Sequence, residues 1–117
     1  MSDIRRIEGN GRLSKVTVHN GVLYMTGQVA EDHAGQDLTQ QTREVLYRID
    51  SLLAEAGSDK TRILKAYLYV ADMQGFAEVN AMWDQWVVPG HEPARTTIEA
   101  RLTGPQYDIE IGVIAAV

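Results

Sequence analysis

The sequence predicts an α+β fold, in which a mixed sheet carries two helices on one of its faces. Five β-rich segments alternate with two segments of helical periodicity, in the order β-β-α-β-α-β-β. Each β-rich segment has one plainly apolar face that the helices can cover. Because the chain has 117 residues and no linker or composition shift, we expect a single domain over residues 1–117.

The first two strands form a predicted hairpin in the stretch KVTVHNGVLYMTGQV. The pair Asn20-Gly21 favours a type I′ turn, because that turn needs positive φ at both central positions. Folding at this turn brings four apolar side chains onto one face: Val16, Val18, Leu23 and Met25.

The first helix is predicted over residues 38–56, where apolar side chains recur at helical spacing: Leu38, Val45, Leu46, Ile49, Leu52, Leu53 and Ala56. Asp37 is placed to cap its N-terminus, with Gln40 as the partner in a capping box. Gly57 is the expected glycine just beyond its C-terminus.

The rest of the chain supplies one long strand, a second helix and two final strands. The long strand lies in RILKAYLYVAD, with Leu64, Ala66, Leu68 and Val70 on one face and Ile63, Lys65, Tyr67 and Tyr69 on the other. The second helix is predicted over residues 73–88 and ends at Pro89-Gly90. Its apolar side holds Phe76, Val79, Trp83 and Trp86 or Val87. The last two strands lie in ARTTIEARL and YDIEIGVIAAV.

The sheet face turned away from the helices is expected to gather polar and aromatic side chains: Tyr24, Thr26, Lys65, Tyr67, Tyr69, Arg95, Thr97, Glu99 and Arg101. One interpretation is an open, water-facing sheet. We favour a subunit interface, because tyrosine rings are large apolar surfaces that are typical of interfaces.

Composition excludes several classes of function. The net charge is −5 and the eleven Lys and Arg residues are scattered, so we expect no nucleic-acid partner and no acidic membrane partner. No apolar run approaches the ~20 residues of a membrane span, and no secretory signal is visible. Cysteine is absent, which fits a cytoplasmic protein. The three histidines lie far apart in the sequence, so we expect neither a metal nor a cofactor.

Three short motifs, MTGQVA, AEVNAMW and PARTTIEARL, resemble the RidA/YjgF family of reactive-intermediate deaminases in their order and spacing. The similarity extends over essentially the whole chain. The resemblance implies a chorismate-mutase-like fold and a homotrimer, in which three sheets form a central barrel with clefts at the subunit boundaries. Members of the family hydrolyse enamine and imine intermediates, such as 2-aminoacrylate from pyridoxal-phosphate enzymes, to a 2-oxo acid and ammonia.

The resemblance also implies roles for individual residues. Arg95 corresponds to the arginine that follows Pro-Ala and clamps the substrate carboxylate. Thr26 corresponds to a ligand-contacting serine, and Thr97 to a position that is often cysteine. Asn80 matches an asparagine of the second helix, which we interpret as structural.

The sequence departs from the family at two positions. Leu13 stands where many active deaminases have a tyrosine in a GPY segment. Gly112 replaces the glutamate that holds the attacking water in an IEIEAIA-like run.

These departures matter because imine hydrolysis needs a carboxylate anchor, a positioned water and a proton shuttle to the departing ammonia. Arg95 can supply the anchor through two parallel charge-assisted hydrogen bonds, or it can form an interface ion pair instead. Glu99 and Glu110 are the carboxylates that can replace the missing glutamate. Alternatively, they form salt bridges with Arg101 or Lys65.

Three functions compete at this point. The first is hydrolysis of small amino-acid-derived imines and enamines at a subunit boundary, and the second is binding of a 2-oxo acid or other small carboxylate without turnover. Loss of the glutamate favours the second. The third is the ribonuclease or translation-inhibitor activity often attached to the family name, which the acidic charge and the absence of paired histidines disfavour.

Overall fold

The computed structural model describes residues 3–117 and contains one six-stranded sheet with two α-helices. The strands are β1 (Arg5–Gly9), β2 (Ser14–His19), β3 (Val22–Met25), β4 (Ile63–Val70), β5 (Ala94–Glu99) and β6 (Ile109–Ala116), and the helices are α1 (Leu38–Glu55) and α2 (Phe76–Trp86). The strand order across the sheet is β1-β2-β3-β6-β4-β5, and only β4 and β5 are parallel. The predicted α+β class and mixed sheet are confirmed.

The predicted hairpin joins β2 and β3 in the expected register. Val16 lies opposite Met25, and Val18 lies opposite Leu23. The turn residues Asn20 and Gly21 have φ values of 52° and 76°, as a type I′ turn requires.

Helix α1 has the capping that the sequence predicts. The Asp37 side chain accepts a hydrogen bond from the Gln40 backbone N–H at 2.9 Å. At the other end Gly57 has φ of 85°, and Ser58 N–H donates to Leu53 O at 2.8 Å. These features form a Schellman motif, in which the glycine reverses the chain.

Helix α2 is shorter than predicted at both ends. Residues Met73–Gly75 form a separate 3₁₀ turn, in which the Asp72 side chain accepts the Gln74 N–H at 2.9 Å. The α-helix therefore begins at Phe76. It ends at Trp86, and Val87 is already extended ahead of Pro89.

Strand β1 was not predicted from the sequence. Its residues RRIEG are exposed except for the half-buried Ile7, so it carries no alternating apolar pattern. It forms the edge of the sheet by pairing with β2, where Ile7 lies opposite Val16.

The face assignment within β4 was wrong at its first two residues. A register shift between Ile63 and Lys65 places Ile63 in the core and leaves Leu64 52% exposed. Such a bulge turns successive side chains to the other side of the sheet, and simple alternation cannot reveal it. From Ala66 onward the predicted alternation is confirmed.

Both helices pack on one face of the sheet, where a single apolar core forms. The core takes alternate residues of β4 and β6, the hairpin, and the inward stripes of α1 and α2. The other sheet face is left uncovered and carries Tyr24 and Tyr67, which are 49% and 39% exposed. Strand β5 forms the second edge of the sheet, directly beside α2.

Candidate functional site

Arg95 lies near the start of β5 and faces helix α2. It pairs with Ala66 of β4, whose side chain is fully buried on the helix side of the sheet. The Arg95 Cζ atom lies 5.3 Å from the Trp83 ring centroid and 5.5 Å from that of Phe76. Our expectation that Arg95 shares a face with the sheet tyrosines was therefore wrong.

The error arose because β5 is an edge strand of mixed burial. Its first four residues alternate between exposed and half-buried, its last two are both exposed, and none is fully buried. The pattern therefore predicts two faces but does not say which one the helices cover. Pairing with the parallel strand β4 settles the question, since side chains of directly paired residues point to the same side.

Thr97 and Glu99 follow Arg95 on the same side of β5, opposite Leu68 and Val70. The Thr97 hydroxyl oxygen is buried and has no hydrogen-bond partner. Glu99 Oε1 accepts the Met73 backbone N–H at 2.9 Å, so this carboxylate holds the 3₁₀ turn before α2. The structure thus brings Arg95 and Thr97 together, while Glu99 has a structural partner.

The Arg95 guanidinium has no ion-pair partner within residues 3–117. Aromatic rings, rather than a carboxylate, occupy its surroundings. A guanidinium in this state keeps its full positive charge and its hydrogen-bond donors for an external anion. The pair of Arg95 and the unpartnered Thr97 hydroxyl is therefore the candidate anion site.

Glu110 lies on the opposite, uncovered face of the sheet, across from Tyr69. It borders a shallow cavity of about 210 Å³. The lining of this cavity also includes Tyr24, Tyr67, Tyr69, Gly27 and Gly112. Burial raises the pKa of the Glu110 carboxyl, and no described basic group pairs with it. This carboxyl is consequently a candidate proton carrier.

Two glycines make room for the Glu110 side chain. A Cβ atom on Gly27 would overlap the Glu110 carboxylate. A Cβ atom on Gly112 would lie 3.2 Å from Met25 O and 3.5 Å from the Gly27 Cα. The Glu110 carboxyl therefore lies in the same small region into which a side chain at position 112 would begin to extend.

Two other predicted site positions lie apart from Arg95. Thr26 follows β3, which is three strand spacings from β5, or about 14 Å across the sheet. Leu13 lies in the β1–β2 connection and is 45% exposed. Within one chain, neither residue can contact a small ligand held by Arg95.

The predicted salt bridges of Lys65 and Arg101 with Glu99 or Glu110 are absent from the described part of the chain. Lys65 Nζ instead donates to Thr96 Oγ1 at 2.7 Å and lies 5.3 Å from the Tyr67 ring centroid. Arg101 lies beyond the end of β5 and is exposed.

Phe76 and Trp83 are site residues that the sequence suggested only as core. Trp83 is 6% exposed, so the core assignment is correct as far as it goes. Its second contact, with Arg95, depends on α2 lying beside the edge strand β5. Helical periodicity cannot reveal this, because it gives the buried side of α2 but not its neighbour.

A second polar cluster joins α1 to the 3₁₀ turn Glu31–His33. The nearly buried Glu44 carboxylate accepts hydrogen bonds from Arg48 Nε at 2.5 Å and the Asp32 N–H at 3.2 Å, and it contacts His33 Nδ1 at 2.7 Å. Burial alone would raise the pKa of Glu44, but these hydrogen bonds outweigh it and lower the pKa. Both oxygens of this carboxylate have hydrogen-bond partners, so the cluster has a structural role in linking α1 to the 3₁₀ turn.

The described residues, 3–117, contain neither a group of metal ligands nor a helix typical of a membrane span. No three of their histidine, aspartate and glutamate side chains are grouped closely enough to hold a metal ion. None of the helices in this part of the chain has the length and hydropathy of a membrane span.

The fold defines a class, that of chorismate-mutase-like α+β domains. The chain belongs to the endoribonuclease L-PSP family, whose model matches residues 3–117. It is 46% identical to a RutC family protein of Haemophilus influenzae, over 96% of this chain and 97% of that protein. It is 43% identical to the RutC family protein YoaB of Escherichia coli K12, over 97% and 98% of the two chains.

Solved structures agree with this assignment. A member of the YjgF protein family from Neisseria meningitidis superposes with a TM-score of 0.93 at 42% identity, covering 97% of this chain and 94% of that one.

Proposed function

We propose that the protein is a cytoplasmic homotrimer that binds small carboxylates at Arg95 and hydrolyses imines and enamines derived from amino acids. The observation that carries the proposal is the state of Arg95. Its guanidinium rests on two aromatic rings, has no carboxylate partner among the described residues, and shares its side of β5 with the unpartnered Thr97 hydroxyl. Family membership adds support, because Arg95 lies in the stretch PARTT, which resembles the family motif.

The binding step follows from the chemistry of the two side chains. A planar guanidinium can donate two parallel N–H bonds to one carboxylate, which fixes both the position and the orientation of the ligand. The Thr97 hydroxyl can donate a further hydrogen bond to the same ligand. Small 2-oxo acids and 2-imino acids share the carboxylate that this arrangement would recognise.

The hydrolytic step adds water across the C=N bond, so that an imine and water give a carbonyl compound and ammonia. Protons must move from the attacking water to the departing nitrogen. Gly112 offers no group for this transfer, whereas Glu110 offers a half-buried carboxyl with a raised pKa. Glu110 lies on the opposite sheet face from Arg95, so we place the complete site at a boundary where Glu110 and Thr26 come from a second subunit.

Calorimetry with 2-oxobutyrate tests the binding step. Arg95→Ala should weaken binding roughly 30- to several-thousand-fold, because a buried charge-assisted pair loses one partner. Arg95→Lys should restore little, since lysine cannot form the bidentate arrangement. Arg43→Ala is the matched control, because it removes the same charge from an exposed position on α1. Unchanged affinity of Arg95→Ala would refute the anchor role.

The second candidate function is carboxylate binding without turnover, which the glycine at position 112 favours. A coupled assay separates the two functions by offering oxidase-generated imines of several amino acids and measuring ammonia release. Ammonia release that falls in both Arg95→Ala and Glu110→Gln supports the hydrolase. Tight 2-oxobutyrate binding with ammonia release at the uncatalysed rate would establish the binding protein instead.

A further inference from the structure

Trp83 lies at the centre of a row of contacting side chains. Its ring centroid lies 5.3 Å from that of Trp86, with the two planes inclined at 48°. Trp86 is fixed in turn, because its Nε1–H donates to Asp50 Oδ2 of α1 at 2.9 Å and Lys60 Nζ lies 5.4 Å from its ring. At the other end of this row, the Trp83 ring contacts Arg95.

Arginines can be oriented by carboxylates or by aromatic faces, and the consequences for binding differ. A carboxylate partner neutralises the guanidinium and competes with an incoming anion for the same N–H groups. An aromatic ring attracts the face of the guanidinium through its quadrupole and leaves the N–H edge free. At this site only the second arrangement is present within the described chain.

From this geometry we infer that Trp83 is a positioning residue for Arg95: its ring, assisted by Phe76, holds the guanidinium in a binding-competent orientation without neutralising it. The inference rests on the proposed anchor role of Arg95. It assigns to a buried core tryptophan a second role in ligand affinity. It also explains why aromatic side chains of α2, rather than an acidic side chain, lie beside Arg95 at the start of β5.

The test compares an aromatic with a non-aromatic replacement. Trp83→Met removes the aromatic face, and we expect 2-oxobutyrate to bind about 5- to 30-fold more weakly, the range of a partly to fully desolvated cation–π contact. Trp83→Phe keeps an aromatic face and should recover most of that loss. Phe76→Leu removes the second, less buried ring and should cause a smaller loss in the same direction, which provides an independent test if Trp83→Met folds poorly.

The second readout, the Nε–H resonance of Arg95 in a nitrogen-15 spectrum, reports whether the guanidinium lies against the Trp83 ring in solution. In the wild type the Trp83 ring current should displace this resonance, and the displacement should vanish in Trp83→Met and largely return in Trp83→Phe. Ile49→Val is the control for general loosening of the core, because Ile49 is fully buried on α1. It should leave both the affinity and the resonance unchanged.

Two outcomes overturn the inference, and they are distinguishable. If Trp83→Met and Phe76→Leu bind 2-oxobutyrate as tightly as the wild type while Arg95→Ala does not bind it, the anchor stands and the positioning role is wrong. If Arg95→Ala itself binds normally, the proposed function is wrong and the positioning role is wrong with it.

Discussion

At the scale of single residues, Glu110 gives the clearest prediction about pH. Burial raises the pKa of its carboxyl in the folded chain, so the folded state holds this proton more tightly than the unfolded state does. The stability that the protonated group contributes is complete below its unfolded pKa, and it is lost as pH rises through the higher folded pKa. A pH above the folded pKa therefore imposes a charge on this half-buried carboxyl.

We expect Glu110→Gln to melt at a higher temperature than the wild type at pH 8, and the difference to shrink towards zero near pH 3. Thermal melts across this range provide the measurement. Asp84→Asn, an exposed change on α2, controls for the loss of one negative charge. A stability difference between Glu110→Gln and the wild type that is the same at pH 3 and pH 8 would show that desolvation does not govern this carboxyl.

At the scale of elements, a buried glutamine connects α1 to the segment before β6. Gln41 is fully buried, and its Nε2 donates to Gln36 O at 2.9 Å and to Gln106 O at 3.2 Å. Its Oε1 accepts the Asp108 N–H at 2.8 Å. One amide thus satisfies backbone groups on two sides of the helix N-terminus, and the position of β6 depends on it.

Replacement of this amide should be costly. Gln41→Leu has a similar volume but removes the hydrogen bonds to the Gln36 O and the Asp108 N–H, and we expect a loss of about 2–4 kcal/mol in the free energy of unfolding. Urea denaturation gives the value, with Gln40→Leu on the exposed side of the same turn as the matched control. If the two variants were equally stable, the amide contacts would contribute nothing beyond surface substitution.

The elements also mark where sequence reasoning succeeded and where it could not. The caps at Asp37 and Gly57 and the turn at Asn20-Gly21 are local, so residue types alone predicted them. Gln41 and Glu44 are buried polar residues on α1, and a pattern of apolar residues does not detect such positions. Some of their partners lie on other segments, such as His33 for Glu44 and Asp108 for Gln41, and only the folded chain brings them together.

At the scale of the whole molecule, the fold class and family could be predicted, but the geometry of the site could not. The order of strands and helices and the motif around Arg95 can be read directly from the sequence. Whether Arg95 faces the helices or the open sheet depends on the parallel pairing of β5 with β4. These two strands can pair only through a crossover connection that contains α2. The separation of Thr26 from Arg95 likewise depends on the order of strands across the sheet.

The open sheet face leads to a prediction about assembly. Tyr24, Tyr67 and Ile98 are 49%, 39% and 47% exposed on this face, beside half-buried Tyr69. Aromatic surface of this kind is stabilised when it is removed from water, and a closed ring of three copies would bury it in every subunit. We therefore expect a trimer of three 13.0 kDa chains, about 39 kDa, in sedimentation equilibrium.

A charge on the open face should weaken this trimer. Tyr67→Glu would place a carboxylate among buried tyrosines, and we expect it to shift the equilibrium towards the 13.0 kDa monomer while the far-ultraviolet circular dichroism stays unchanged. Tyr47→Glu makes the same substitution at a tyrosine that is 71% exposed on the outer side of α1, and it should leave the trimer intact. Because the proposed site draws Arg95 and Glu110 from different subunits, Tyr67→Glu should also lose ammonia release in proportion to the monomer formed. A wild-type protein that sediments as a monomer at micromolar concentration, or a Tyr67→Glu monomer with full activity, would place the site within one chain and exclude Glu110 from it.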